Sequence, residues 1–318
     1  MQVRLIIKCR DEWLEPPLLD EPRLLRAANA AAVLEAAVVK NGALDFAEGA
    51  AVRLLADGKE IFRGRVFEKQ RTRPEVIKIV AYDELRYWQN RDCCIFEEFM
   101  PSEMVRRIAA ILNLPVGEAA DCGMMLAARA YDNRRYLDMM SDVLDEVLKA
   151  KGKHYFLLAE GGKIYLRDCE DMQVDLLLDL TTIGGYEYRT SIDRGYANRV
   201  KVIYEDKRKA LRRQFVAENW QEIERVGVLQ YVSKSAAADK QTAETARQLL
   251  RELNRRTDSR SVSDVPGDVR VRGGSLVWLR MDLGDRVVDC RALVQKAVHR
   301  FVGGECLMDL ELAAEWLV

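Results

Sequence analysis

The chain has 318 residues, of which 49% are hydrophobic, so it is long enough for two or three domains with apolar cores. Its 50 basic and 51 acidic residues give a net charge of −1, which argues against a dedicated nucleic-acid-binding protein. No apolar run approaches the roughly 20 residues that cross a bilayer. The start, MQVRLIIKCRDEW, is charged too early for a signal peptide, so we expect a cytoplasmic protein.

The first part of the chain carries the two-residue period of β-strands. Residues 52–54 and 61–66 alternate in polarity on either side of Asp57-Gly58, which is typical of a hairpin turn. A further strand is expected at 76–81, after the turn at Pro74. We therefore predict a mostly β domain over residues 1–95.

The period becomes helical at Pro101. A first amphipathic helix follows, with Ser102 as its expected cap and Pro115 beyond its end, and a second ends at Gly152. Residues 154–159 and 163–167 flank Gly161-Gly162 as a short hairpin. Two helices and a hairpin predict a small α/β domain over residues 96–175.

Residues 176–318 return to a mostly β pattern. Strands are expected at 198–204 and 227–231, and the apolar stripe of the helix at 243–253 predicts packing across a face or an end of a barrel. This region is predicted to be a β-barrel domain with one packed helix.

Three strands and two turns are predicted in the last fifty residues. Val269 and Val271 alternate with arginines before Gly273-Gly274 breaks the strand, and residues 276–281 resume it. Gly284 follows in a turn, and the remaining residues alternate up to Leu312. The glycines to which we assign a structural role in turns are Gly58, Gly161, Gly162, Gly273, Gly274 and Gly284.

Candidates for nucleophilic or metal chemistry are few. His154 and His299 are expected on separate strands. A metal site or a Cys-His nucleophile would require one of them to lie next to Cys169, Cys290 or Cys306. Isolated residues of these types mostly pack in cores, and the spacing lacks the further members of a metal set. Neither Cys93-Cys94 nor the other cysteines show CxxC spacing, so all seven are expected to be reduced, buried fillers.

Carboxylate pairs and basic residues have ordinary explanations. Asp142, Asp145 and Glu146 are expected on a solvated helix face that Lys149 and Lys151 balance. Glu97-Glu98 is another carboxylate pair, of the kind that glycoside hydrolysis requires but that chance also produces in a chain with 51 acidic residues. None of the glycine pairs stands in the sequence context of a phosphate-binding loop. One dense basic cluster is a candidate contact patch, for nucleic acid or for edge protection: Lys207, Arg208, Lys209, Arg212 and Arg213. No catalytic residue, metal or cofactor is predicted.

Several blocks together resemble one family. They are IVAYDELRYWQNRDCCIFEEFMPSEMVRRIAAILNLPVG, YLDMMSDVLDEVLKAKGKHYFLLAEGGKIYLRD, IDRGYANRVKVIYED, VGVLQYV with ETARQLLRELNRRT, and the C-terminal strands. Their order is similar to that of the baseplate hub proteins of contractile phage tails, in particular the PBSX-type prophage hubs, which are late-control-D-like tail proteins. The blocks span nearly the whole chain.

The resemblance implies an α+β, mostly β fold in which two tube-like β-barrels, duplicates of each other, flank a small α/β insert. It implies a structural, non-enzymatic homotrimer that joins the hexameric tail tube to a trimeric central spike, with other baseplate and tape-measure proteins as neighbours. Nucleic acid is then only cargo passing through the channel. The protein would assemble in the bacterial cytoplasm and end in a virion or tail-like particle. The alternatives are a tail-tip cell-wall hydrolase and a nucleic-acid-binding module.

Overall fold

A computed structural model describes residues 1–42, 44–193, 195–206, 211–235, 239–255, 257–284 and 287–313. The chain divides into two compact units. The first contains residues 1–186 and 261–318, and the second contains residues 187–260. Each unit is described by itself below.

Seven strands of the first unit come from its N-terminal part. The apolar side chains of β5 face inward at every second position, as the period predicts. The predicted hairpin at Asp57-Gly58 is confirmed, because Ala56 lies opposite Lys59 across the turn. The strands are β1 (Val3–Cys9), β2 (Glu12–Leu14), β3 (Arg23–Ala27), β4 (Val33–Val39), β5 (Ala51–Ala56), β6 (Lys59–Arg73) and β7 (Val76–Tyr82).

A 3₁₀ helix, Glu84–Gln89, leads into the helical part of the first unit. Helices α1 and α2 pack together around a core that includes Met104 and Val143, both fully buried. The hairpin of β11 and β12 is confirmed, and β9 adds in parallel to β12 while β8 pairs with β10. The elements are β8 (Arg91–Phe96), α1 (Pro101–Ile111), β9 (Val116–Ala119), β10 (Arg129–Arg135), α2 (Tyr136–Lys151), β11 (Tyr155–Glu160) and β12 (Lys163–Asp168).

The ends of these helices follow local chemistry. Gly152 ends α2 with a φ of 68°, a left-handed conformation that favours glycine, so the predicted end is confirmed. The expected cap of α1 is wrong by two residues. The residue before the helix is Met100, whose backbone N–H donates to the Glu103 carboxylate at 2.8 Å, while Ser102 lies inside the first turn and is buried.

Beyond a short 3₁₀ helix at Cys169–Met172, β13 (Gln173–Asp179) and β14 (Gly185–Ser191) carry the chain toward the second unit. That unit has its own three-stranded sheet, in which β15 lies between β16 and β17. Its remaining elements are β15 (Arg199–Asp206), β16 (Leu211–Glu218), α3 (Trp220–Val226), β17 (Gln230–Ser235) and α4 (Asp239–Leu253).

Helix α4 packs on β15 and β16 and covers Val200 and Val202 with Ala246 and Leu249. The sequence assigned these strands and this helix to the C-terminal barrel domain; in the structure they form the sheet and the helix of the second unit. An apolar stripe indicates that a helix is covered but does not identify the sheet that covers it.

The chain returns to the first unit through β18 (Thr257–Pro266), followed by β19 (Leu276–Asp282), β20 (Val287–Val302) and β21 (Glu305–Leu312). Here β20 pairs with β19, with β21 and with β3, so that His299 lies opposite Leu24. The predicted strand at Val269 and Val271 is wrong, because these residues lie in the turns that separate β18 from β19. They are nevertheless packed against apolar cores.

The pairing of β3 with β20 joins the N-terminal and C-terminal strands into one sheet of thirteen strands. Its order is β14-β18-β21-β20-β3-β4-β7-β6-β5-β1-β2, with β19 on β20 and β13 parallel to β19. The mostly β class is confirmed. Across the described residues no ladder of named strands closes into a barrel, while an isolated bridge joins Leu18 to Val38 of β4.

Candidate functional site

The predicted turn glycines lie in turns. Five of them have positive φ: Gly58, Gly161, Gly162, Gly274 and Gly284. Gly284 has a φ of 88° in the turn between β19 and β20, and its N–H donates to the Asp282 carboxylate at 2.9 Å. A role for these glycines in assembly stays a prediction.

Gly273 serves a different purpose, because another part of the backbone approaches it. A Cβ atom built there would lie 2.0 Å from the backbone nitrogen of Ala28. The N–H of Gly273 donates to the carbonyl of Arg26 at 3.1 Å, and that of Gly274 to the carbonyl of Val294 at 2.8 Å. The turn before β19 is therefore hydrogen-bonded directly to the backbones of β3 and β20.

The predicted basic cluster is only partly visible. Lys207, Arg208 and Lys209 lie outside the described residues. Arg212 and Arg213 are on β16, opposite Glu205 and Tyr204 of β15. Glu205 thus lies beside Arg212. The role of the basic cluster in binding stays a prediction.

The histidines and cysteines do not assemble into a nucleophilic pair. His299 is fully buried on β20 opposite Met308, whereas Cys306 lies opposite Phe301. Burial raises the pKa of the Cys306 thiol to about 11, which makes it a poor nucleophile. His154 stacks on Phe156, at 6.3 Å between ring centroids, and precedes β11 instead of lying on a strand.

The prediction that the cysteines are buried needs correction at two positions. Cys290 is only half-buried, and Cys93 is exposed on β8, where its thiol donates to the Asp132 carboxylate at 2.9 Å. That hydrogen bond raises the pKa of the Cys93 thiol. Its neighbour Cys94 is buried, as expected, because adjacent strand residues face opposite sides.

The carboxylates of α2 are held by arginines. Asp142 pairs with Arg134 and Glu146 with Arg129, each at 2.8 Å, and both arginines belong to β10. The predicted balance by Lys149 and Lys151 therefore omits their closest partners. Glu97 and Glu98 are exposed after β8.

A group of charged residues that the sequence did not indicate lies between the N-terminal and C-terminal strands. Arg26 of β3 is 7% exposed, Asp83 before the 3₁₀ helix is 4% exposed, and His299 is fully buried. The Arg26 Nη2 donates to the carbonyl of Val269 at 2.7 Å, and His299 Nε2 lies 3.1 Å from the carbonyl of Asp268. Nε2 of His299 must carry the proton to make this contact.

The protonation of this group follows from burial. Burial, followed by the charge of Arg26, lowers the pKa of His299 to about 3, so its ring is neutral near pH 7. Burial also raises the pKa of Asp83 to about 7. Asp83 Oδ1 accepts the N–H of Leu85 at 3.0 Å, whereas its Oδ2 has no hydrogen-bond partner.

An exposed apolar patch lies at the edge of the C-terminal strands. Leu177 of β13 lies opposite Trp278 of β19, and each is 42% exposed. Val287, at the start of β20, is 70% exposed. Trp278 and Leu177 are neighbours at the surface, as aromatic and aliphatic side chains are in many protein contacts, whereas the ion pair of Arg280 with Asp289 separates them from Val287.

Within the described ranges, no helix is long and apolar enough to span a membrane. In the same part of the chain, no three residues among His, Cys, Asp and Glu are grouped to hold a metal ion.

Comparison with known proteins identifies relatives over most of the chain. The family model described as YQBQ-like matches residues 26–313. The phage-like element PBSX protein XkdQ of Bacillus subtilis is 33% identical over 188 residues, which cover 58% of this chain and 56% of that protein.

Two solved structures share the fold at low identity. The 43 kDa tail protein of prophage MuSo2 from Shewanella oneidensis superposes with a TM-score of 0.70 at 10% identity and covers 98% of both chains. The c3393 protein of E. coli, a type VI secretion component described as structurally similar to T4 tail proteins gp27 and gp5, has a TM-score of 0.59 at 9% identity and covers 97% of this chain and 76% of that one. The resemblance to PBSX-type prophage proteins is confirmed, and the chain belongs to the YQBQ-like family.

Proposed function

We propose that this protein is the structural hub of a contractile tail baseplate, a homotrimer that joins the hexameric tail tube to a trimeric central spike. The observation that carries the proposal is a fold shared along 98% of the chain with a prophage tail protein, within a family that includes a PBSX protein. The E. coli neighbour, described as similar to T4 gp27 and gp5, supports a place in the tail.

The N-terminal strands and the C-terminal strands of the first unit would each form one tube-like barrel, which gives two barrels per subunit. We propose that the segment 12–19 completes the N-terminal one. Its first part, β2, pairs with β1, and its last part bonds to β4 through the Leu19 N–H and the Ala37 carbonyl at 2.9 Å. A second barrel would be formed by β13, β14 and β18–β21. Three subunits would then present six barrels to the tube.

The proposed domains span residues 1–95, 96–175 and 176–318, and the region 187–260 is inserted in the last of them. The protein makes and breaks no bond, and its partners are the tube, the spike, and other baseplate and tape-measure proteins. It is assembled in the bacterial cytoplasm and ends in a particle. The apolar patch around Trp278 is a candidate contact between subunits.

Light scattering of the purified protein, alone and with its cognate spike, tests the symmetry. A three-fold assembly is expected in at least one of the two samples, because the unpaired sheet edges and the apolar patch invite partners. A strict monomer in both samples would sink the proposal.

Gly284→Val should weaken incorporation into particles more than Gly161→Val. Both glycines have positive φ with no atom within 4 Å of an added Cβ, so each change costs on the order of 1–2 kcal/mol in the folded chain. Gly284, however, sets the register of Met281 against Val288 next to the exposed patch. Gly161 lies in the hairpin of β11 and β12. Thermal melting and particle incorporation are compared for both variants, and equal incorporation at equal stability would contradict the prediction.

A further inference from the structure

A recess of about 440 Å³ lies in the first unit, between the N-terminal strands, the hairpin of β11 and β12, and the turns before β19. Its rim is exposed and includes Lys59, Gly161 and Arg270. Arg26 and Asp83 line its interior and are almost fully buried. The recess is large enough for several waters or a small solute.

Arg26 is a buried cation without an ion-pair partner. Across the described residues no carboxylate oxygen lies within 4 Å of its guanidinium group, and its Nε has no hydrogen-bond partner. Its Nη2 donates to the carbonyl of Val269 at 2.7 Å and lies 3.5 Å from Nε2 of His299, whose ring is neutral. Burial, followed by the charge of Arg272, lowers the pKa of Arg26 to about 9, although the charges of Glu160 and Asp268 act in the opposite direction.

Arg272 repeats the pattern on another wall of the recess. It donates from Nη2 to the carbonyl of Ala159 at 3.2 Å, and within the described part of the chain it forms no ion pair shorter than 4 Å. Two guanidinium groups thus line one cavity, and each is held by a backbone carbonyl. A carbonyl satisfies a donor but does not neutralise the charge.

Two other acidic side chains of the wall are engaged by arginines, and a third, Asp171, is exposed to solvent. Glu160 pairs with Arg167 at 2.8 Å, and Glu60 pairs with Arg63 at 2.8 Å. Asp83 is the remaining buried carboxylate, and within the described residues it forms no ion pair shorter than 4 Å with Arg26 or Arg272. Burial lowers the pKa of Arg272, whereas the charge of Asp83 acts in the opposite direction. One buried and one half-buried guanidinium group thus face the same recess without a carboxylate at ion-pair distance. An anion bound there would neutralise their charge.

We propose that this recess binds one small oxyanion, of the phosphate or sulfate class, on the guanidinium groups of Arg26 and Arg272. Guanidinium groups present planar, forked donors that match such oxygens, and both arginines line the recess. The exposed Lys59 at the rim would favour entry of an anion, whereas Arg270 is already paired with Asp268 at 2.6 Å. The bound ion would connect β3 with the turns before β19, and so the N-terminal strands with the C-terminal ones.

Equilibrium dialysis of the intact protein against radiolabelled orthophosphate at pH 8 and constant ionic strength tests the proposal. Saturable binding of one phosphate per chain is expected. Arg272→Met should weaken it at least about tenfold, since a charge-assisted hydrogen bond is lost. Asp83→Asn should strengthen it, because a nearby negative charge is removed. Arg280→Met, which removes an exposed arginine paired with Asp289, is the control and should bind as the wild type does.

Arg272→Met is the principal variant because Arg272 is only half-buried, whereas the loss of Arg26 could impair folding. Circular dichroism confirms that each variant is folded before dialysis. Sulfate is expected to compete with the labelled phosphate, and chloride at equal ionic strength is not. Non-saturable binding, equal affinity of Arg272→Met and wild type, or weaker binding by Asp83→Asn would each overturn the proposal.

Discussion

Gly273→Ala is expected to lower the free energy of unfolding by at least about 3 kcal/mol, because the new Cβ would overlap backbone that has no room to move. It would lie 2.0 Å from the Ala28 nitrogen and 2.3 Å from the Ala27 carbonyl carbon. This backbone belongs to the end of β3, which is paired with both β4 and β20. Relief of the overlap would therefore disturb the junction between the two strand sets.

Gly284→Ala is the matched control for this substitution. It introduces the same methyl group at a φ of 88° but meets no atom within 4 Å. This substitution should lower the free energy of unfolding by only about 1–2 kcal/mol, which is the cost of the left-handed conformation for a residue with a Cβ atom. Urea denaturation of both variants measures the difference, and equal losses of stability would show that the chain around Ala28 yields to the methyl group.

Asp83→Asn is expected to stabilise the protein as the pH rises. The folded-state pKa of Asp83, about 7, lies above the ordinary aspartate value of about 3.9, so between these pH values the folded state binds more protons than the unfolded state. Stability is therefore lost as the pH rises through this window, by about 4 kcal/mol when complete. Asparagine keeps the oxygen that accepts the Leu85 N–H but cannot ionise. The gain over wild type should be near zero at pH 4 and full at pH 8.

Urea denaturation at several pH values gives this gain directly. His299 acts in the opposite sense, because its lowered pKa makes stability fall as the pH drops from about 6.5 toward 3. In the Asp83→Asn variant, the free energy of unfolding should therefore rise between pH 4 and 6.5. In the wild type, the ionisation of Asp83 offsets this rise. Asp138→Asn is the control, since Arg135 lowers the pKa of that exposed carboxyl and the change should give no alkaline gain. A pH-independent difference for Asp83→Asn would contradict the prediction.

Short-range features of this protein were accessible from its residues. The hairpin at Asp57-Gly58, the end of α2 at Gly152 and the apolar stripe of α4 depend on neighbours within a few positions, where glycine conformation and side-chain period act. The order of several such segments along the chain was also enough to recognise the family. Even locally, however, Val269 and Val271 alternate like a strand but lie in turns.

The tertiary structure decided which strands and charges meet. The pairing of β3 with β20 brings Leu24 opposite His299, and no periodicity reports a contact between residues so far apart in the chain. The same pairing buries Arg26 and forms the recess with Asp83 and Arg272, residues that look like ordinary surface charges in the sequence. Likewise, the stripe of α4 required a sheet to cover it, and only the fold selected β15 and β16. The sequence by itself determined the local elements and the family, because these depend on near neighbours and their order. Strand partners, buried charges and the separate second unit depend on long-range packing, which only the folded chain brings about.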